Sequence, residues 1–128
     1  MTRGAVVAVL LLLTSVRTLG HHNFLSEFDP ERPLKVTGTV TKLEWTNPHT
    51  WFYLDVKDEG GQVTNWGMEM GSPNALMRAG WTRNAMKVGE VVTVEGFHAR
   101  DKANIGNARV VVLVSTGRRL FAASSAGQ

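Results

Sequence analysis

Residues 34–46 read LKVTGTVTKLEWT, and this stretch decides the fold. Leu34, Val36, Gly38 and Val40 fall on one side of an extended chain, and Lys35, Thr37, Thr39 and Thr41 fall on the other. A period of two marks a half-buried strand. Leu43 and Trp45 then continue the apolar set from the opposite parity. A bulge near Lys42 restores their facing, because one extra residue moves every later side chain to the other face. Gly38 inside the strand predicts a tight bend or a close backbone approach.

Towards the C-terminus, Asn47-Pro48 is a turn signal. Residues 51–57 (WFYLDVK) form a second strand, with Phe52, Leu54 and Val56 on one face and Trp51, Tyr53 and Asp55 on the other. Asp58-Glu59-Gly60-Gly61 is a hairpin loop, and 63–70 (VTNWGMEM) returns as a third strand with Trp66, Met68 and Met70 aligned. Ser72 before Pro73 opens a short helix over 73–79, and Gly80 closes it. Thr82 caps a further turn ending near Met86. Residues 91–97 (VVTVEGF) and 109–115 (RVVVLVS) are the fourth and fifth strands, and Arg118 to Phe121 follow the Gly117 turn.

The expected fold is mostly β: a small five-stranded OB-like antiparallel barrel with one short helix between strands three and four. A small β-sandwich and a six-stranded barrel are the competing closures. The barrel domain covers residues 34–121. Towards the N-terminus, residues 21–33 (HHNFLSEFDPERP) are short, polar and carry Pro30 and Pro33. They read as an extended arm with Phe24 and Phe28 as anchors. Residues 122–128 are small and polar, and read as a flexible tail.

Residues 1–20 have the layout of a secretory signal peptide: Arg3, an unbroken apolar run from Ala5 to Leu13, then a more polar stretch with Thr18 and Gly20. The apolar run is too short for a membrane helix, which needs about 20 residues. Cleavage after Gly20 exposes His21 as the first residue, leaves no integral membrane segment, and places the protein in the periplasm or outside the cell. The full chain of 128 residues has 14 Lys+Arg against 11 Asp+Glu. Losing Arg3 and Arg17 with the leader leaves 12 against 11, a net charge of +1. That balance argues against nucleic acid, whose binders carry a basic stripe. The absence of cysteine excludes a disulfide scaffold, a thiolate metal site and a thiol nucleophile. An apolar share of 43% and a charged share of 20% exclude a disordered chain.

Four histidines are the strong metal ligands: His21, His22, His49 and His98. After cleavage, His21 carries a free α-amine beside its own imidazole, and the two nitrogens can chelate one ion. A third nitrogen, from His49 in the loop after the first strand or from His22 next door, completes a tetragonal set. Such sets suit Cu(II) best among the divalent ions. The plain alternative is a solvated His pair at the terminus and a His49 that serves only its turn.

The aromatics supply a second candidate, with Trp51, Tyr53, Asn47 and Trp81 as ligand-binding residues. Trp51 and Tyr53 share the polar face of the second strand and can stack a sugar ring; core packing is the ordinary competitor. Arg78, Trp81 and Arg83 flank Gly80, where they pin a helix or hold an anion. Glu44 and Glu69 fall on strands, and nothing singles out a glycosidase pair. No phosphate loop and no nucleophile elbow occurs, so the sequence gives no ground for an enzyme.

The stretches HHNF (21–24), EWTNPH (44–49), GSPNAL (71–76), RAGWTR (78–83), KVG (87–89) and NAR (107–109) act together as one pattern. In these the chain resembles the bacterial secreted family catalogued as domain of unknown function 6152. Asn23 stands where that family usually has Ser, Met86 where it has Leu and Glu90 where it has Asp, and His98 lies outside its pattern. The resemblance implies export with a His-His start and a small β-barrel, and it carries no established activity. The expected function is a small exported binding module with a Cu(II)-type site at His21, His22 and His49. A metal-free barrel that binds a glycan, a small ligand or an envelope protein through exposed aromatics is the second reading. A redox copper enzyme on the same nitrogens is the third.

Overall fold

Alternation over residues 34–40 produces the strand around which the molecule is organised. The computed structural model describes residues 24–124. The expected leader, His21, His22 and residues 125–128 of the expected tail lie outside the described residues. In chain order the elements are α1 (Phe24–Glu27), β1 (Phe28–Glu44), β2 (Trp51–Lys57), β3 (Val63–Glu69), α2 (Pro73–Arg78), β4 (Val91–Ala99), β5 (Ile105–Leu113) and β6 (Arg119–Phe121). The strands form one sheet in the order β3-β2-β1-β4-β5-β6, and a further pairing of the end strand β3 with β5 closes the ring. The result is a barrel-like ring of hydrogen bonds. Its pairings are antiparallel except β3–β5, which is parallel.

The long β1 is shared by two neighbours, with β2 on its second half and β4 on its first. Its register against β2 slips between Val40 and Lys42. Thr41 is the extra residue, so the bulge sits where the parity change required it. Beyond it, Leu43 and Trp45 turn back to pack on the core. A Cβ on Gly38 would lie 2.3 Å from the Asp55 carbonyl oxygen, so only glycine lets β2 approach there.

Val40, Phe52, Leu54, Met68, Val92, Val94 and Val111 are buried in the ring's interior, and Leu76 of α2, Trp81 and Met86 join the same core. The start of α2 is set locally: the Ser72 hydroxyl accepts from the Ala75 amide at 3.2 Å, and Pro73 takes a position whose N–H needs no partner. Gly80, at φ 98°, ends it.

Three features depart from the expected architecture. The strand count is six, because Arg119–Phe121 pairs with Val110–Val112. A second short helix, α1, stands in the expected arm, and β1 begins at Phe28 rather than Leu34. Pro30 and Pro33 argued against a strand there, since proline donates no ladder bond. The chain absorbs them at an irregularity between Phe28 and Pro33 in the pairing with β4. The first part of the expected tail is fixed: Ala122 is buried, its amide donates to the Arg109 carbonyl, and its carbonyl accepts from the Gly71 amide. Among the described residues, no helix is long and apolar enough to cross a membrane.

Candidate functional site

Pairing registers run one row of residues across the outer face of four strands. Trp51 on β2 faces Glu69 on β3, Glu69 faces Asn107 on β5, and Asn107 faces Phe97 on β4. Paired residues share a face of a sheet. An outward-facing row should be solvated, yet Glu69 is only 5% exposed and Asn107 1%. The β1–β2 loop, the β4–β5 loop and the N-terminal arm cover it.

These parts enclose a cavity of about 460 Å³. Thr46, Asn47, Pro48 and His49 line it from the first loop, Asp101 and Lys102 from the second, and Ser26, Glu27 and Phe28 from the arm. Trp51, Glu69, Ala99 and Ile105 complete the lining. The crevice between these two loops, against β2 and β3, is where OB-like barrels bind ligands.

Arg100 holds the arm in place. Its Nε donates to the Leu25 carbonyl at 2.8 Å, its amide donates to the Glu27 carbonyl at 2.9 Å, and its guanidinium lies 3.6 Å from the Asp29 carboxylate. Phe24 stacks on Phe28 with centroids 5.5 Å apart and meets Phe97 edge-on at 5.9 Å.

His49 is held at the cavity by its neighbours. Its Nδ1 lies 3.6 Å from Glu69 Oε2, an ion-pair separation rather than a closed hydrogen bond. Glu69 Oε1 accepts from the Asn107 amide at 3.4 Å, and Asn107 Oδ1 accepts from the Ser124 hydroxyl. Among the described residues, no group of three or more His, Cys, Asp or Glu side chains is arranged to hold a metal ion. They supply one imidazole at the cavity.

The other candidate residues separate. Asn47 and Trp51 line the cavity with His49. Tyr53 lies outside the lining but stacks on Trp51, with centroids 6.5 Å apart and the rings 21° from parallel. Lys42 sits 5.5 Å from the Tyr53 ring centroid and pairs with Glu44 at 2.6 Å. The hydrogen bond from Lys42 holds the Glu44 carboxyl below its usual range, and burial followed by the Glu44 charge pushes the Tyr53 phenol up. Trp81 is no part of this surface. It is 3% exposed, meets Trp45 edge-on at 6.4 Å, and donates its indole N–H to the Phe121 carbonyl at 2.8 Å. Its indole N–H is bonded inside the fold, where it pins the C-terminal strand.

His98 lies apart from the cavity lining, edge-on to Trp66 at 5.6 Å. Burial, and then the Arg32 charge, lower its pKa below the ordinary histidine value. A lowered histidine pKa means that the unfolded chain takes the proton first. Stability is therefore lost as pH falls through about 6.5, the unfolded value, and the loss ends below the lowered folded pKa. His98→Gln should shrink the drop in urea midpoint between about pH 7.5 and about pH 5. An unchanged drop contradicts the assignment.

Alternation alone placed Glu69 as an ordinary strand residue. Its place opposite Trp51 follows from pairing Lys57 with Val63 across the hairpin and counting back along both strands. Its partner Asn107, the Ser124 hydroxyl that bonds Asn107, and the Arg100 clamp depend on contacts distant in the chain and carry no local signal.

A family model matches residues 8–108. The chain belongs to the DUF6152 family, a family of unknown function. The DUF6152 match covers every residue that lines the cavity and the His49–Glu69 pair, and it ends before residues 109–128, Ser124 among them. No curated protein matches the chain.

Proposed function

We propose that this DUF6152 protein is exported, is cleaved after Gly20, and serves as a small binding module with a Cu(II)-type site at the cavity. The His21 amine and ring supply two nitrogens, and His49 supplies the third, with His22 as the local substitute. The observation that carries this reading is that Ser26, Glu27 and Phe28 line the same cavity as His49. The arm that follows the His pair is thus clamped beside His49. His21 stands three steps before Phe24 in the chain, a span of at most about 11 Å. His49 also has what a metal-bound imidazole needs, a carboxylate at its other nitrogen. A nitrogen-rich, tetragonal set favours Cu(II), and Ni(II) next.

The test is a copper titration of the exported protein followed by electron paramagnetic resonance. A one-equivalent, nitrogen-coordinated tetragonal signal supports the reading. A chain that still begins at Gly20, or a signal unaffected by both His49→Ala and His22→Ala, counts against it.

The Trp51–Tyr53 strip favours a second reading, a metal-free barrel that binds a glycan, a small ligand or an envelope protein. Trp51 lines the cavity and its ring continues onto Tyr53, so a flat aromatic strip leads out of the crevice. Stacking on such rings is worth about 1–3 kcal/mol per ring in nucleic-acid systems. Tryptophan fluorescence of metal-free protein should change on titration with glycans or envelope fragments, and Trp51→Ala should abolish the change. No response in the wild type removes this reading.

A further inference from the structure

We infer that Glu69 is the positioning residue of the cavity site: it holds His49 with its proton on Nδ1 and leaves Nε2 as the nitrogen offered to a ligand. The inference rests on the reading of His49 as a ligand residue and deepens it.

Glu69 is a carboxylate on the outer face of β3, yet it is 5% exposed. Burying an ionised group is costly unless other groups compensate. Its two oxygens point to different partners. Oε2 faces His49 Nδ1, and Oε1 accepts from Asn107 Nδ2. The Asn107 amide has one consistent orientation here, with its nitrogen donating to Glu69 and its oxygen accepting from Ser124. The chain Ser124–Asn107–Glu69–His49 therefore runs from the C-terminal segment to the cavity.

The backbone is strained where that chain is anchored. Ala123 has φ 49°, a left-handed conformation uncommon for any residue but glycine. Hydrogen bonds on both sides of Ala122 clamp the segment, and a Cβ on Gly71 would lie 2.4 Å from the Ala123 carbonyl oxygen. Strain of this kind persists where the surroundings over-determine it, and it concentrates at functional sites. Here it turns Ser124 onto Asn107. At 3.6 Å the Glu69 carboxylate does not close a hydrogen bond with Nδ1, but its negative charge favours the tautomer that turns an N–H towards it, and a carboxylate behind Nδ1 thus selects Nδ1–H.

The test needs no metal. Long-range proton–nitrogen correlation NMR on the exported, metal-free chain at about pH 8, above the ordinary histidine range, reports the tautomer of His49 directly. The expected result is Nδ1–H in the wild type, a shift towards Nε2–H in Glu69→Met and, in smaller degree, in Ser124→Ala, and recovery of Nδ1–H in Glu69→Asp. Nε2–H in the wild type overturns the inference, as does Nδ1–H retained in folded Glu69→Met. If Glu69→Met fails to fold, the wild type and Ser124→Ala decide. Copper titration of the same samples should show affinity lowered about 10- to 100-fold in Glu69→Met. Nδ1–H without copper binding removes the copper reading and leaves the positioning role standing. Nε2–H with copper bound removes the positioning role alone.

Discussion

Gly96→Ala should cost about 3 kcal/mol or more, at the upper end of what overpacking does. The added Cβ would lie 1.8 Å from the Asn107 carbonyl oxygen, 2.9 Å from its carbonyl carbon and 3.1 Å from the Ala108 Cα. All three are backbone atoms, so no rotamer change relieves the clash. The register of β4 against β5 slips here, with Glu95 opposite Val110 and Gly96 opposite Ala108, which leaves Arg109 as the extra residue. The mutation therefore forces apart the two strands at the bulge that fits β5 between β4 and β3. Gly117→Ala is the control: no atom lies within 4 Å of its Cβ, and only its φ of 73° resists the change, at about 1 kcal/mol. Urea unfolding should show a large fall in midpoint, or no cooperative transition, for Gly96→Ala and a small fall for Gly117→Ala. A midpoint like the wild type for Gly96→Ala contradicts the register. Because Asn107 donates to Glu69, folded Gly96→Ala should also disturb the cavity.

His49→Ala should weaken copper binding by at least about 100-fold, since losing a partner of a ligand already costs 10- to 100-fold and here the ligand itself is removed. The side chain is 27% exposed, so its truncation leaves the core intact. It does leave Glu69 buried without its imidazole, and the double change His49→Ala/Glu69→Met separates that effect from the loss of a nitrogen. His98→Ala should leave affinity unchanged, because His98 sits against Trp66 and lines no part of the cavity. Isothermal titration checks all three. If His98→Ala weakens binding as much as His49→Ala, the site is not at the cavity.

The fold was legible in the sequence wherever its causes are local. The alternation at Leu34–Val40 and its slip beyond Thr41 gave β1 with its bulge, and Ser72, Pro73 and Gly80 gave α2 with both ends. Features that depend on contacts distant in the chain were not. The parallel pairing of β3 with β5 joins Gly67–Glu69 to Ile105–Asn107, and no pattern in either segment announces it. Phe28–Pro33 carries the proline signal of a loop, yet neighbouring β4 makes it strand.

The candidate site divides in the same way. His49 and Trp51 stood out by residue type and by their place after the first strand. Trp81 stood out by type as well, but its burial depends on the Phe121 carbonyl, forty residues on. Glu69 looked unremarkable because its burial comes from loops that close over a face which alternation marks as outward.

Native intact mass of the exported protein, taken with and without one equivalent of copper, tests the whole account most directly. It is predicted to show a chain that begins at His21 and gains one copper ion. A first residue other than His21, or a chain beginning at His21 that takes up no copper, contradicts it.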